Sequence, residues 1–270
     1  MRPGLLVISH GSREAEWVAL VDETMRVVRE RLGASLLVET AFLELVDERL
    51  IQDGIDRLAA AGATHLLALP LFVSSGSTHA DEIGWALGAL AEPAADTELQ
   101  PFETRGLRID YGRPMGNDPE VADIVLQRLR DMSERPEDEI VLLIGHGSAE
   151  AGFREAWERE LAELAGQAKS LGGYRESSYA LLLPDQVGRE LDRLRDRCAL
   201  GPFRILVQAM FLSEGYFTNA VVTKRLAEYG RGLPIRYDGR ALMPHPNVAA
   251  WIVRQAGEWL AAKEREFAPI

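Results

Sequence analysis

Three side chains that can transfer protons or bind ligands follow three successive apolar runs in the first half of this sequence. They are His10, Glu44 and His79, and the runs that precede them lie at residues 5–9, 36–43 and 66–72. Functional residues of parallel α/β sheets gather at the carboxyl ends of the strands, so we expect the two imidazoles and the carboxylate to converge on one edge. Near neutral pH these groups accept protons and offer nitrogen and oxygen lone pairs. This edge is therefore a candidate functional site.

The elements that must position these residues alternate between short apolar runs and amphipathic stretches, which is typical of strand-helix units around a parallel sheet. Strands are predicted near residues 5–9, 36–43, 66–72, 107–111, 140–144, 178–183, 204–210 and 235–237, and first-half helices are predicted to start near Glu14, Asp47, Asp81 and Pro119. Four strand-helix units follow one another in the first half of the chain, and four more follow in the second half. We therefore predict an α/β protein with two tandem doubly wound parallel-sheet domains.

An internal repeat connects the two halves of the chain. His10-Gly11-Ser12 matches His146-Gly147-Ser148, Phe72-x-Ser74-x-Gly76 matches Phe211-x-Ser213-x-Gly215, and Gly112-Arg113 matches Gly239-Arg240. Self-similarity in this order indicates duplication. It predicts domains at residues 1–132 and 139–270, joined by the acidic, proline-containing linker 133–138.

Structural roles are the alternative for these polar residues, because a histidine after a strand can cap a helix and Glu44 can support the helix that follows it. The internal repeat favours a functional role for these residues over a structural one. Aligned by its landmarks, the second copy keeps His146 but has Leu182 and Thr218 where the first has Glu44 and His79. A purely structural need would exist in both copies, so we expect the active site in the first copy and a degenerate site in the second. The remaining histidines, His65 and His245, are interpreted as structural.

Composition narrows the classes of function. The 270 residues are 47% apolar and 27% charged, as in globular proteins, and no apolar run approaches the about 20 residues that span a bilayer. The net charge of −12 disfavours nucleic acid as a partner. The single cysteine, Cys198, excludes a cysteine-based metal site. The first residues run directly into a strand instead of a signal-peptide core, so we expect a cytoplasmic protein.

The ordered set of motifs resembles the sirohydrochlorin cobaltochelatase and ferrochelatase family. The resemblance lies in His10-Gly11-Ser12-Arg13, Ala41-Phe42-Leu43-Glu44, and Pro70-Leu71-Phe72 followed by Gly76, His79 and Asp81. These class II chelatases insert a divalent metal into a tetrapyrrole, and the duplication is similar to their long bacterial form. The resemblance implies that His10 and His79, with Glu44 beside them, handle the metal and accept the pyrrole protons.

The same resemblance implies that the substrate is a polycarboxylate tetrapyrrole and that the inserted metal is Co²⁺, Fe²⁺ or Ni²⁺. It further implies a role in sirohaem or cobalamin biosynthesis and no further cofactor. Candidate substrate-binding residues are Ser12, Arg13, Gly76, His146 and Ser148, and Arg113 and Arg240 are further candidate anion partners. We expect a monomer, because the duplication places two copies in one chain. The alternative is a non-catalytic two-domain protein that binds metal or tetrapyrrole.

Overall fold

A computed structural model describes residues 1–266, apart from the side chain of Ser35. The strands in these residues are β1 (Pro3–Ser9), β2 (Leu37–Phe42), β3 (His65–Pro70), β4 (Arg108–Tyr111), β5 (Glu139–Gly147), β6 (Glu176–Leu183), β7 (Arg204–Met210) and β8 (Ile235–Arg236). The α-helices are α1 (Ala15–Leu32), α2 (Ile51–Ala60), α3 (Thr78–Ala86), α4 (Pro119–Met132), α5 (Ala151–Gly172), α6 (Val187–Cys198), α7 (Thr223–Tyr229) and α8 (Pro246–Glu266). A π-helix, Phe217–Val222, precedes α7.

The strands form two parallel four-stranded sheets with the same order, β2-β1-β3-β4 and β6-β5-β7-β8. The predicted α/β class, the parallel sheets and the duplication of the pattern are confirmed. The central strands β1 and β5 read as continuous apolar runs because helices cover both faces of such a sheet. In β1, the residues from Gly4 to Ser9 are all buried. No helix among residues 1–266 is both long enough and apolar enough to cross a membrane.

The chain packs as two compact units whose limits differ from the predicted boundaries at 132 and 139. The first unit contains residues 1–72 and 78–115 together with the described part of α8 from Val248, and the second contains residues 73–77 and 116–247. Helix α4 thus belongs to the second unit and α8 to the first. In the first unit, Trp259 of α8 donates to Asp110 at the end of β4, over 2.7 Å. Each copy's last helix therefore completes the unit built around the other copy's sheet.

Helix α2 begins at Ile51, later than the predicted start near Asp47. Leu45 and Glu48 have φ values of 67° and 61°, in the left-handed region that interrupts a right-handed helix. The helix begins at Ile51, where the Asp53 carboxylate accepts a hydrogen bond from the backbone N–H of Leu50 over 2.8 Å. Asp47 therefore lies in a loop that follows Glu44.

Candidate functional site

The turn after β1 places His10 beside the chain that leaves β2. Gly11 has a φ of 104°, and a Cβ at this position would lie 1.9 Å from the carbonyl oxygen of Glu44. Only glycine allows so close an approach. The backbone N–H of Glu44 donates to the carbonyl oxygen of His10 over 3.1 Å. These contacts hold the ends of the two strands together and bring the Glu44 carboxylate next to the His10 imidazole.

His79 completes the group from the next strand-helix unit. It lies in the first turn of α3, which begins at Thr78 instead of near Asp81 as predicted. The ring centroids of His10 and His79 are 4.8 Å apart with an interplanar angle of 76°. His10 Nε2 lies 3.7 Å from Glu44 Oε1. The structure thus brings together all three residues singled out from the sequence, and we call this group site 1.

Glu82 is a fourth member of site 1 that the sequence analysis missed. Its Oε1 lies 2.7 Å from His79 Nδ1, and its Oε2 accepts a hydrogen bond from Thr97 Oγ1 over 2.6 Å. The signal that could have found it is the spacing of three residues between His79 and Glu82, which makes side chains neighbours on a helix. The predicted helix start near Asp81 left His79 in a loop and hid this relation.

The hydrogen bonds of the two imidazoles fix the same tautomer in both. A carbonyl oxygen only accepts, so His10 Nδ1 donates to the carbonyl oxygen of Gly11 over 3.1 Å. A carboxylate also only accepts, so His79 Nδ1 donates to Glu82. Each neutral ring then carries its lone pair on Nε2. The side chains of His10 and His79 are 38% and 44% exposed, so neither ring is enclosed by the protein.

Site 1 is an open arrangement of donors. Across residues 1–266, no group of three or more His, Cys, Asp or Glu side chains has the spacing needed to hold a metal ion. The three donors of site 1 come from different elements, and the Glu44 side chain is 53% exposed. Such a set can approach a cation but does not enclose it as a four-ligand structural site does.

The second unit has an edge that corresponds to the one carrying site 1. There, the pairing of the strands corrects the residue that the sequence alignment matched to Glu44. Gly147, the counterpart of Gly11, pairs with Leu183 in the sheet, and a Cβ on Gly147 would lie 2.1 Å from the carbonyl oxygen of Leu183. Leu183 therefore takes the place of Glu44, whereas the sequence alignment assigned Leu182. The alignment was one residue out because the loops that follow β2 and β6 differ in length.

The counterpart of His79 is Phe217, whereas the sequence alignment assigned Thr218. The Phe217 ring lies 4.9 Å from the His146 ring at an interplanar angle of 78°, which reproduces the arrangement of His10 and His79. Thr218 is instead fully buried. We call His146, Leu183 and Phe217 site 2. It keeps one imidazole, and an apolar side chain stands at each of the other two positions.

The predicted substrate-binding residues have different surroundings. Ser12 Oγ accepts a hydrogen bond from the backbone N–H of Glu14 over 3.1 Å, and Ser148 Oγ does the same for Glu150 over 3.2 Å. These hydroxyls therefore shape the turns that lead into α1 and α5. Arg13 is exposed in the first of these turns.

Gly76 is buried within the second unit, where it packs against α5. Of the further candidate anion partners, Arg240 forms ion pairs with Asp131 and Asp238 at 2.9 Å and 2.6 Å. Two carboxylates thus already neutralise the Arg240 guanidinium.

The structural interpretation of the two remaining histidines is confirmed. His65 is buried at the start of β3, and this burial, together with the nearby positive charge of Arg108, lowers its pKa. It lies at the end of the strand opposite to site 1. His245 Nδ1 accepts the backbone N–H of Asn247 over 3.1 Å in the first turn of α8. It caps that helix, as the sequence predicted.

Comparison with known proteins shows which proteins this chain is similar to. Residues 4–132 match the CbiX family model. The chain is 29% identical over 184 residues to a sirohydrochlorin ferrochelatase of Priestia megaterium, an alignment that covers 66% of this chain and 61% of that protein. It is also 29% identical over 150 residues to a sirohydrochlorin cobaltochelatase of the same organism, covering 54% of this chain and 45% of that protein. The chain thus spans less than two thirds of the length of these relatives.

Among solved structures, SirB from Bacillus subtilis with Fe³⁺ matches 99% of both chains with a TM-score of 0.76 and 22% identity. At this identity the likeness shows a shared fold. The family model adds that the matched segment, residues 4–132, carries His10, Glu44 and His79. Over residues 4–132 this chain is thus similar to the CbiX family, and its curated relatives include sirohydrochlorin ferrochelatases and cobaltochelatases.

Proposed function

We propose that this protein inserts Co²⁺ or Fe²⁺ into sirohydrochlorin and that site 1 performs the insertion. The observation that carries the proposal is the pair of partly exposed imidazoles, His10 and His79, with ring centroids 4.8 Å apart and Nδ1 of each ring hydrogen-bonded. The similarity of the chain to the CbiX family model and to a sirohydrochlorin ferrochelatase supports the same reaction. The metal is a substrate, and the reaction needs no further cofactor.

The chemistry requires two changes. Two pyrrole N–H protons must leave the macrocycle, and the cation must exchange water for four pyrrole nitrogens. A neutral imidazole can accept a proton or bind the cation through Nε2, so His10 and His79 can share these tasks. Glu44, 3.7 Å from His10 Nε2, adds an anionic oxygen that attracts the cation or stabilises a protonated imidazole. Glu82 holds the His79 ring in the useful tautomer.

An open site suits transfer better than storage. Four protein ligands around a cation would retain it, whereas a few exposed ligands can release it to the stronger chelate of the macrocycle. Imidazole nitrogen and carboxylate oxygen accept Fe²⁺, Co²⁺ and Ni²⁺ alike, so the donor set does not select one metal. The curated relatives include both a ferrochelatase and a cobaltochelatase, in agreement with this chemistry.

Substrate binding is the less specific part of the proposal. We assign carboxylate recognition beside site 1 to Arg13, which supplies positive charge, and to the backbone N–H groups of the turn after β1 that contains Ser12. The overall charge of −12 means that such recognition must be local. We also propose that the protein acts as a monomer, since one chain carries both copies.

The proposal is tested by incubating purified protein with sirohydrochlorin and Co²⁺, Fe²⁺ or Ni²⁺ in turn and following the tetrapyrrole absorption spectrum. We expect many turnovers per protein molecule with Co²⁺ or Fe²⁺. The control is the double variant His10→Ala/His79→Ala, which should return the rate to that of spontaneous insertion. One bound tetrapyrrole per chain with no accelerated insertion would contradict the proposal and indicate a binding protein.

A further inference from the structure

The loop that leads to His79 is tightly ordered by its own hydrogen bonds. We call residues 73–77 the serine loop; it follows β3 and ends one residue before α3. Ser74 is buried, and its Oγ accepts the backbone N–H of Gly76 over 2.9 Å. The carbonyl oxygen of Ser74 accepts the backbone N–H of Ser77 over 3.1 Å. The loop is therefore a defined turn, and its position determines where the first turn of α3 begins.

A buried carboxylate from the second copy holds this loop. Glu160 of α5 is 8% exposed, and its Oε2 and Oε1 lie 3.3 Å and 3.4 Å from the backbone nitrogen of Ser75, which donates to them. The Ser75 hydroxyl also donates to Glu160 Oε1. A buried carboxylate is costly unless such donors satisfy it, so the contact ties the loop to a fixed point on α5.

Close packing reinforces the same contact. A Cβ on Gly76 would lie 2.3 Å from the carbonyl oxygen of Phe153 and 2.4 Å from Trp157 Cδ1. Both neighbours belong to α5, and Trp157 is buried. The serine loop thus lies directly on the helix that carries Glu160, with no room for a side chain at Gly76.

The corresponding loop of the second copy lacks both contacts. Gly215 is the counterpart of Gly76, and a Cβ built on it would meet no heavy atom within 4 Å. By the match of His10 to His146, the counterpart of Glu160 is Thr24 of α1, whose hydroxyl donates to the carbonyl oxygen of Leu20 in its own helix. Only the loop that precedes a histidine of site 1 is fixed by a carboxylate. The loop that precedes Phe217 is not.

We propose that Glu160 is a positioning residue for site 1: it fixes the serine loop so that the His79 imidazole is held beside that of His10. Glu160 acts through Ser75 and has no contact with His10 or His79. The proposal rests on the proposed function, since it takes metal handling by the two imidazoles as the property that positioning serves. It assigns to the degenerate second copy a task in the metal chemistry of the first.

The test measures Co²⁺ binding by the full-length protein in the absence of tetrapyrrole, using calorimetry and the visible spectrum of bound Co²⁺. We expect Glu160→Ala to weaken Co²⁺ binding about tenfold, the lower end of the range for residues that orient metal ligands. Glu160→Gln keeps an acceptor for Ser75 and should recover part of this loss. Gly76→Ala should weaken binding as well, whereas the matched control Gly215→Ala should leave it unchanged.

A purely structural role for Glu160 would lower the unfolding temperature without changing Co²⁺ affinity in the folded protein. Wild-type affinity in folded Glu160→Ala would therefore overturn the proposal. If Glu160→Ala does not fold, Ser75→Ala removes one donor at an exposed residue, and unchanged Co²⁺ affinity in that variant would overturn it equally. Failure of the proposed function appears separately: Co²⁺ would bind through His10 and His79, yet sirohydrochlorin would not be metallated.

Discussion

Site 1 and site 2 are built on the same backbone but present different chemistry. In both, a histidine lies at the carboxyl end of the central strand, donates through Nδ1 to the next carbonyl oxygen, and meets a second ring edge-on at 4.8 Å or 4.9 Å. The second ring is His79 in site 1 and Phe217 in site 2. The comparison teaches that the fold supplies the ring-to-ring geometry in both copies, and that two side-chain differences set which donor atoms each site offers.

The surroundings of Phe217 strengthen the contrast. It stacks on Phe211 at 5.4 Å with an interplanar angle of 10°, and the neighbouring Tyr216 is 74% exposed. Leu183 is 43% exposed on the adjacent strand. Site 2 is therefore an apolar, aromatic surface at the position where site 1 has a carboxylate and an imidazole.

The largest effect is expected from removing either imidazole of site 1. His10→Ala and His79→Ala should each lower the rate of metal insertion by on the order of a hundredfold or more, since each loses a positioned base or ligand. Both side chains are partly exposed, so the fold should persist, as circular dichroism can verify. Near-wild-type turnover at limiting metal in either variant would remove that residue from site 1.

Activity should rise with pH between 5.5 and 8, because protonated imidazoles neither accept a proton nor bind a cation. The measurement is the initial rate at several pH values after subtraction of spontaneous insertion. The residual activity of His10→Ala/His79→Ala should lack this rise. A flat profile in the wild type would speak against imidazole chemistry in site 1.

Glu82→Ala should lower metal affinity or insertion rate about tenfold, because His79 loses the carboxylate that orients its ring. The readout is the KM for Co²⁺ together with kcat. Glu98→Ala is the matched control, since it removes an exposed carboxylate close to Thr97 in sequence. Equal effects from the two variants would show that Glu82 acts only through its charge.

Phe217→His should give site 2 a second imidazole near His146 and with it measurable but weak Co²⁺ binding. The experiment uses a His10→Ala/His79→Ala background, so that calorimetry detects only new binding. Insertion should stay absent, because Leu183 supplies no carboxylate. Tyr216→His is the control for a histidine added next to the site. Absence of binding in Phe217→His would mean that the ring-to-ring geometry is not sufficient for a metal.

The smallest effect is expected from His146→Ala. It should change the single-turnover rate at saturating substrate by no more than about twofold, since losses in substrate binding vanish under that condition and chemical losses persist. An effect as large as that of His10→Ala would extend the catalytic set into the second copy and abolish the contrast between the two sites.

The sequence was sufficient to predict the fold and the main residues of site 1. Continuous apolar runs identified the buried parallel strands, and polar side chains at three strand ends identified His10, Glu44 and His79. The partner of His79 was missed because it depends on where α3 begins, and helix ends are weakly encoded. The one-residue errors at Leu183 and Phe217 arose in loops of unequal length, where only backbone pairing fixes the alignment.

The packing of the last helices could not be predicted from the sequence. Helices α4 and α8 both open with proline and carry the same Val-Ala pair, at Val121-Ala122 and Val248-Ala249, so either fits either sheet by pattern. Contacts such as that between Trp259 and Asp110 decide the matter only in three dimensions.

The exchange of α4 and α8 sets the order in which the protein can be completed during synthesis. All residues of site 1 leave the ribosome early, yet the unit around them lacks its last helix until α8 emerges, with Trp251 fully buried in the finished structure. A nascent chain that has just exposed His10, Glu44 and His79 therefore cannot yet hold them on a finished scaffold. Completion of the edge that carries site 1 is thereby tied to translation of α8.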